Sequence, residues 1–490
     1  MTQPRVDMTE LDGALGILPP TEGALPAIVG TSTDGPEDTP AAYARVSDVV
    51  ADFGFGPLVE AAAYAITKFG RPVLLVRAGA TTDGELTSAV LTGSGTATVS
   101  VAASPDPADD CEFHIEVITG GALGTAGITF KWSMDGGRTQ SAEIALGTAL
   151  TFEFPDSGAI VGTDVELTFG VATETLVAGD LVTFRSTAPM WDATDIASAM
   201  LALRKCAQLW SIVEVCGALD ATLFAAVETA VSGMPAYGKD RMYIGHARMP
   251  DIGESEATYL TALDTIYSSL STVYGAVCAG SAKMISGVSG RQYRRPPSFW
   301  VAPAHAVKSE EVNLANVKVG RMDGVIITDE NGNPDDHDES TNPGLDDARF
   351  LVLRTWEGRP GVYINRPRML STPTSDYQLI PHRRVINLAK TVVRAYLEER
   401  VNEEILVNAT TGYILEEEAL EIEAGANAAL RGALLAKPKA SGARFVLSRT
   451  DNLLSTKLMN GTCRIVPMAY PEFIDVEIGF ENPAIQARGV

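Results

Sequence analysis

The chain has 490 residues, 46% of them hydrophobic, with 62 Asp+Glu against 38 Lys+Arg and a formal net charge of −24. That length calls for about two to four domains, and the apolar share excludes a disordered chain. No apolar run reaches membrane-spanning length, and an acidic chain repels phosphate backbones on average, which counts against nucleic-acid binding as its main task.

The N-terminal stretch is polar and acidic, with no basic-then-apolar order, so no signal peptide is expected and the chain is expected to fold in a cytoplasm. The five cysteines, Cys111, Cys206, Cys216, Cys278 and Cys463, are dispersed with no Cys-x-x-Cys pair, as buried thiols of a cytosolic protein are. An intersubunit disulfide in an extracellular particle stays open.

Residues 1–23 are punctuated by Pro4, Gly13, Gly16, Pro19 and Pro20 and read as an extended arm. Within it Val6 and Met8 alternate with Asp7 and Thr9, a short strand pattern with no partner of its own. From residue 24 the texture changes: the apolar run Ala27-Ile28-Val29-Gly30, an Ala-rich helical stretch at 58–68, then the strand Val73-Leu74-Leu75-Val76. Strand, helix and apolar strand in succession are the cadence of a buried parallel sheet.

That cadence breaks over 81–186. Alternating stretches such as Phe113-His114-Ile115-Glu116-Val117, Thr129-Phe130-Lys131-Trp132 and Leu150-Thr151-Phe152-Glu153-Phe154 are set off by turn residues at Asp135-Gly136-Gly137. The expectation is an all-β, sandwich-like module. After Pro189 the α/β cadence returns: a helix carrying Ile196, Met200 and Leu203, strands at 211–215 and 242–244, and helices at 221–231 and around Leu260 to Leu270. Residues 24–80 and 187–305 therefore read as one discontinuous α/β domain, with the β module inserted at a surface loop.

Residues 306–470 read as a C-terminal α+β domain. Strands are expected at 350–354 and 361–364, a helix at 383–406 with the apolar stripe Val385, Leu388, Ala389, Val392 and Tyr396, and a second helix at 416–435 with an acidic first turn. On the far side of the first helix, Arg383, Lys390 and Arg394 form a basic row. It is either an ordinary solvated face, with pairing such as Arg394 to Glu398, or a contact for an acidic partner. The chain closes at 471–490 with a second extended arm, in which Ile474, Val476, Ile478 and Phe480 face one way and Asp475, Glu477 and Gly479 the other.

Catalytic motifs are missing: there is no P-loop, no His-Glu-x-x-His and no Gly-x-Ser-x-Gly. Gly54-Phe55-Gly56 lacks the third glycine of a dinucleotide fingerprint and reads as a turn. His114, His246, His305, His337 and His382 fall in different expected elements, so no catalytic cluster is expected. The oxygen-rich loop at 329–336 begins like a calcium loop but has Pro334 where glycine is needed and Ser340 where the closing Glu belongs. Neither an enzyme nor a cofactor or metal site is expected.

The segments Gly361-Val362-Tyr363-Ile364-Asn365, Pro373-Thr374-Ser375-Asp376-Tyr377 and Arg384-Val385-Ile386-Asn387, in that order, resemble the conserved part of contractile phage tail sheath proteins. The resemblance implies a structural subunit that polymerises as a helical sheath of stacked rings around an inner tail tube protein, with baseplate and tail terminator proteins at its ends. It implies a place in the virion tail after assembly in the host cytoplasm, and contraction that drives the tube through the host envelope for genome delivery. It also implies arms that add strands to neighbouring subunits, carried here by Val6 and Met8 and by Ile474, Val476, Ile478 and Phe480. The basic row would look inward to the tube. The sheath of a bacterial contractile injection particle is the alternative within the class, and an α/β enzyme with an accessory β domain the alternative outside it. An inner-tube or baseplate protein fits less well, because tube subunits are much shorter.

Overall fold

A computed structural model describes residues 25–480 apart from 105, 156, 161, 252 and 328–334. Val6, Met8 and most of the oxygen-rich loop at 329–336 lie outside the described residues. The chain divides into two compact units, Met1–Val401 and Asn402–Val490.

The first unit is built on a six-stranded sheet in the order Gly275–Cys278, Met242–His246, Trp210–Ala218, Leu25–Gly30, Val73–Arg77 and Ala41–Tyr43. All neighbours are parallel except the last pair. The strand Leu25–Gly30 is buried at every position, as a central strand covered on both faces must be. Its side chains alternate between two cores. Ile28, with Leu75 and Ile212, meets the helices Pro57–Phe69 and Ser298–Val307, while Ala27 and Val29 meet the helices Ala193–Lys205, Ala221–Ser232 and Glu256–Tyr267. Two of these helices start on side-chain caps. Asp192 accepts from the backbone of Thr194 and Asp195 in a capping box, and Asp220 accepts from Leu223.

Because Leu25–Gly30 sits between Val73–Arg77 and Trp210–Ala218, chain from both sides of the 81–186 segment enters one sheet. The inserted segment forms a sandwich. Five strands, Val90–Thr92, Leu181–Ser186, Cys111–Thr119, Thr129–Ser133 and Ile144–Ala145, lie side by side in that order. A three-stranded sheet of Thr151–Glu153, Asp164–Thr168 and Ser100–Ser104 shares their core. Aromatic side chains fill it: Phe113 stacks on Phe184 at 4.6 Å and meets Phe154 edge-on at 4.9 Å. The architecture is the expected one, a discontinuous α/β core with an inserted β domain and an α+β region behind it.

The three-stranded sheet of Gln292–Arg295, Ala282–Ile285 and Val325–Ile326 follows the six-stranded sheet, and after it comes the hairpin Leu353–Trp356 with Arg359–Ile364. The helix Ile380–Glu398 follows, with Pro381 in its first turn, where a missing N–H costs nothing. It stops short of the expected 406. Residues 399–402 turn away, and Asn402 takes the left-handed backbone (φ 66°) that asparagine tolerates.

The second unit contains the helix Glu416–Leu430, which closes in a π-helical turn at Arg431–Leu435, and the antiparallel hairpin of Gly442–Leu447 with Gly461–Val466. Residues 467–480 then run on without joining a sheet.

Candidate assembly interface

The basic row on the 380–398 helix is not uniformly exposed. Arg383 is only 3% exposed, and its guanidinium lies 4.3 Å from the ring centre of Tyr274 and 5.2 Å from that of Tyr377. The expectation that it projects outward with Lys390 and Arg394 is corrected. The three residues do share one side of the helix, but the first turn on that side is walled by aromatic faces that attract a guanidinium. Helical spacing fixes which residues share a face and not how deep each turn lies.

Lys390 and Arg394 do reach the surface, and both grip one buried carboxylate. Lys390 Nζ stands 3.0 Å from Asp240 Oδ1 and Arg394 Nη2 2.6 Å from Asp240 Oδ2, while the Asp240 side chain has no exposure. Arg394 also donates to the carbonyl of Gly238. Burial pushes the Asp240 carboxyl up, but the hydrogen bonds from Lys390 and Arg394 outweigh it and hold the group below its usual value. Two of the three cations are thus largely neutralised within the chain.

The C-terminal arm is placed differently. Ile474 is 78% exposed, Val476 64%, Ile478 93%, and Phe480 fully so. Four large apolar side chains at every second position, left in water on a segment with no ladder partner, cost about 1.5–3 kcal/mol each relative to burial. The nearest chain of regular structure in sequence is the 442–447/461–466 hairpin, a two-stranded sheet of the kind that is marginal in isolation. The 416–430 helix supports it: Asn427 and Glu423 both bond its backbone.

Other buried polar groups escaped the sequence. Arg295, 4% exposed, pairs with Asp109 at 2.6 Å and bonds the Asp110 carbonyl at 2.9 Å, joining the inserted sandwich to the α/β body; Glu60 is a further negative neighbour, bonded to Ser286 at 2.9 Å. Glu214, in the middle of a central strand, is 1% exposed, and burial pushes its carboxyl well up. No local pattern marks these residues, because each partner comes from a distant part of the chain. Among the described residues no group of three or more His, Cys, Asp or Glu is arranged to hold a metal, and no helix is long and apolar enough to cross a membrane.

Layered α/β core, inserted sandwich and C-terminal hairpin together make the fold of contractile sheath proteins. The helical sheath of the anti-feeding prophage in its contracted state superposes with a TM-score of 0.51 at 11% identity, over 98% of this chain and 100% of that one. A sheath tail protein from Listeria innocua aligns with a TM-score of 0.44 at 13% identity, over 91% of this chain and 95% of that one. At such identities the likeness is one of fold. The chain belongs to the DUF2586 family, whose N-terminal domain it matches over residues 3–368. No curated protein matches it.

Proposed function

We propose that this chain is the repeating subunit of a contractile tail sheath. Subunits polymerise as a helical array around an inner tube, linked by arm strands that each adds to a neighbour, and the array contracts to push the tube through a host envelope. The carrying observation is the arm at 471–480, where Ile474, Val476, Ile478 and Phe480, at every second position, all lie exposed after a two-stranded hairpin. Strand addition suits a mechanical joint: each backbone hydrogen bond contributes about 1 kcal/mol, so one short strand contributes a few. Repeated at every subunit, such joints hold a lattice together while rigid bodies swing between two arrangements. The energy then comes from the difference between the two lattices, and the subunit itself needs no nucleotide or other cofactor.

The tube contact falls to Lys390 and Arg394, whose side chains keep 42% and 29% of their exposure; Arg383 is too deep to take part directly. Baseplate and terminator proteins would bound the array, and the assembled subunit would reside in the virion tail. A bacterial injection particle would use the same subunit, and capsid and terminase genes beside the coding sequence would mark a phage.

Removal of residues 474–490 tests the reading. The truncated protein is expected to stay soluble and folded while electron microscopy shows none of the striated tubes expected of the full chain. Normal tubes from the truncated protein would sink the arm-linked sheath.

A further inference from the structure

A subunit with a net charge of −24 repels its own copies, so self-assembly needs a place where the sign is reversed. Such a place lies where the helix Ala193–Lys205 ends beside the loop 237–241. Lys239 Nζ donates to the carbonyls of Arg204 and Cys206 at 2.5 and 2.8 Å, which ties the loop to the helix end. The Arg204 guanidinium sits 4.1 Å from the ring centre of Tyr237, and that of Arg241 5.4 Å from the ring centre of Trp210. Asp240, buried in the same loop, is already held by Lys390 and Arg394. Neither Arg204 nor Lys205 makes an ion pair among the described residues. Asp38 is the one acid lining the groove that Lys205 shares with Leu201 and Gln208.

The same spot is apolar where it is not basic. Leu201, Leu209 and Tyr237 all stand exposed there. Aromatic and arginine side chains carry most of the binding in protein–protein contacts, and charges at the rim set orientation and rate.

The second unit presents the opposite sign. Between 402 and 424 the chain has seven glutamates and no lysine or arginine. Within that stretch residues 406–415 fold back on themselves. Asn408 N–H donates to the Tyr413 carbonyl at 2.8 Å and Leu415 N–H to the Leu406 carbonyl at 3.2 Å, with Val407 opposite Ile414. Side chains alternate across such a pair, so Val407 and Ile414 share one face and Leu406 and Tyr413 the other. Ile414 is buried, whereas Leu406 and Tyr413 stand exposed, as does Leu420 on the helix that follows. Arg449 is occupied by Glu416 and Glu423, and neither Glu404 nor Glu417 makes an ion pair among the described residues.

We propose that the basic end of the helix Ala193–Lys205 receives the acidic 404–421 surface of a second copy. Arg204 and Lys205 meet Glu404 and Glu417, while Leu209 and Tyr237 cover Leu406 and Tyr413. The two surfaces are different, so the contact is heterologous and builds rings or open helices instead of closing as a dimer. The inference rests on the sheath reading and deepens it, by naming a lattice contact that uses neither arm and other cations than the pair assigned to the tube.

The purified chain, without any tube protein, provides the test. Isotope-labelled and unlabelled chains are mixed, assembled and treated with a water-soluble carbodiimide. The reagent activates a glutamate carboxylate, a neighbouring lysine amine displaces it, an amide forms and the urea leaves. A link from Lys205 or Lys239 to a glutamate of 403–421 on the other copy is expected by mass spectrometry, about tenfold above dilute, unassembled protein. Assembled particles without that link overturn the inference. In parallel, Arg204→Glu with Lys205→Glu is expected to slow assembly about tenfold at an unchanged melting temperature, and the added changes Glu404→Lys and Glu417→Lys to restore it. Assembly of the first variant at full rate, or no recovery in the second, also overturns it. Failure of the unaltered chain to assemble at all would instead defeat the sheath reading.

Discussion

Arg295 and Asp109 meet at 2.6 Å with both side chains almost wholly out of water, and they join the inserted sandwich to the α/β body. One cation there serves two carboxylates, since Glu60 lies close enough to act on it. Burial pushes both Asp109 and Glu60 up, against the pull of Arg295. Removing the cation leaves two buried acids uncompensated, so Arg295→Ala is expected to cost about 3–5 kcal/mol. Glu60→Gln, which keeps the Arg295–Asp109 pair, should cost distinctly less. The first transition in urea unfolding, followed by intrinsic fluorescence, reads both; equal midpoints for the two variants would contradict the assignment.

Glu256 gives a pH dependence of known sign. Burial first, then the charge of Glu339, raises its carboxyl from 4.5 to about 7, and His337 Nδ1 stands 3.8 Å away. The folded chain therefore holds a proton that the unfolded chain releases between those values. The associated stability is full below the unfolded value and is lost as pH rises through about 7. Glu256→Gln should be more stable than the unaltered protein at pH 8 and indistinguishable from it near pH 4. Melting temperatures across that range would show the two curves converging toward acid; parallel curves would refute it.

The pairing of Lys390 and Arg394 with Asp240 changes how a tube contact must be tested. Reversing both cations would place two negative charges beside the buried Asp240 carboxylate, a loss of roughly 3–5 kcal/mol in the fold itself. Lys390→Gln with Arg394→Gln and Asp240→Asn removes both signs together and should leave the melting transition nearly in place. That triple variant is expected to lose association with the tube, and added salt to weaken it in the unaltered protein. Association indifferent to salt would argue against the contact.

Gly275 begins the edge strand Gly275–Cys278, and a methyl group there would overlap the ring of Tyr243 on the neighbouring strand. That ring is fully buried and bonded through its hydroxyl to Glu228 at 3.1 Å, so it has nowhere to go. Gly275→Ala is expected to cost about 1–3 kcal/mol, seen as a lower melting temperature, whereas Gly432→Ala, with open space around it, should not.

The layered core was legible because its signals are local. A run such as Val73 to Val76 is apolar on both faces only where helices cover both, and Phe113, Ile115 and Val117 alternate only where one face is dry. Depth and pairing were not legible. Nothing near Arg383 in sequence tells of Tyr274, and nothing near Lys390 tells of Asp240, 150 positions away. The arm at 474–480 lies between these cases. Its alternation is plain in the sequence, and the structure adds that the apolar side chains lie uncovered.

Asn427 has a consequence for how growth ends. A bare hairpin can be lengthened on both sides, and nothing in its backbone limits the number of strands that join. With one side plugged by an amide that mimics a strand, the sheet can widen in a single direction only.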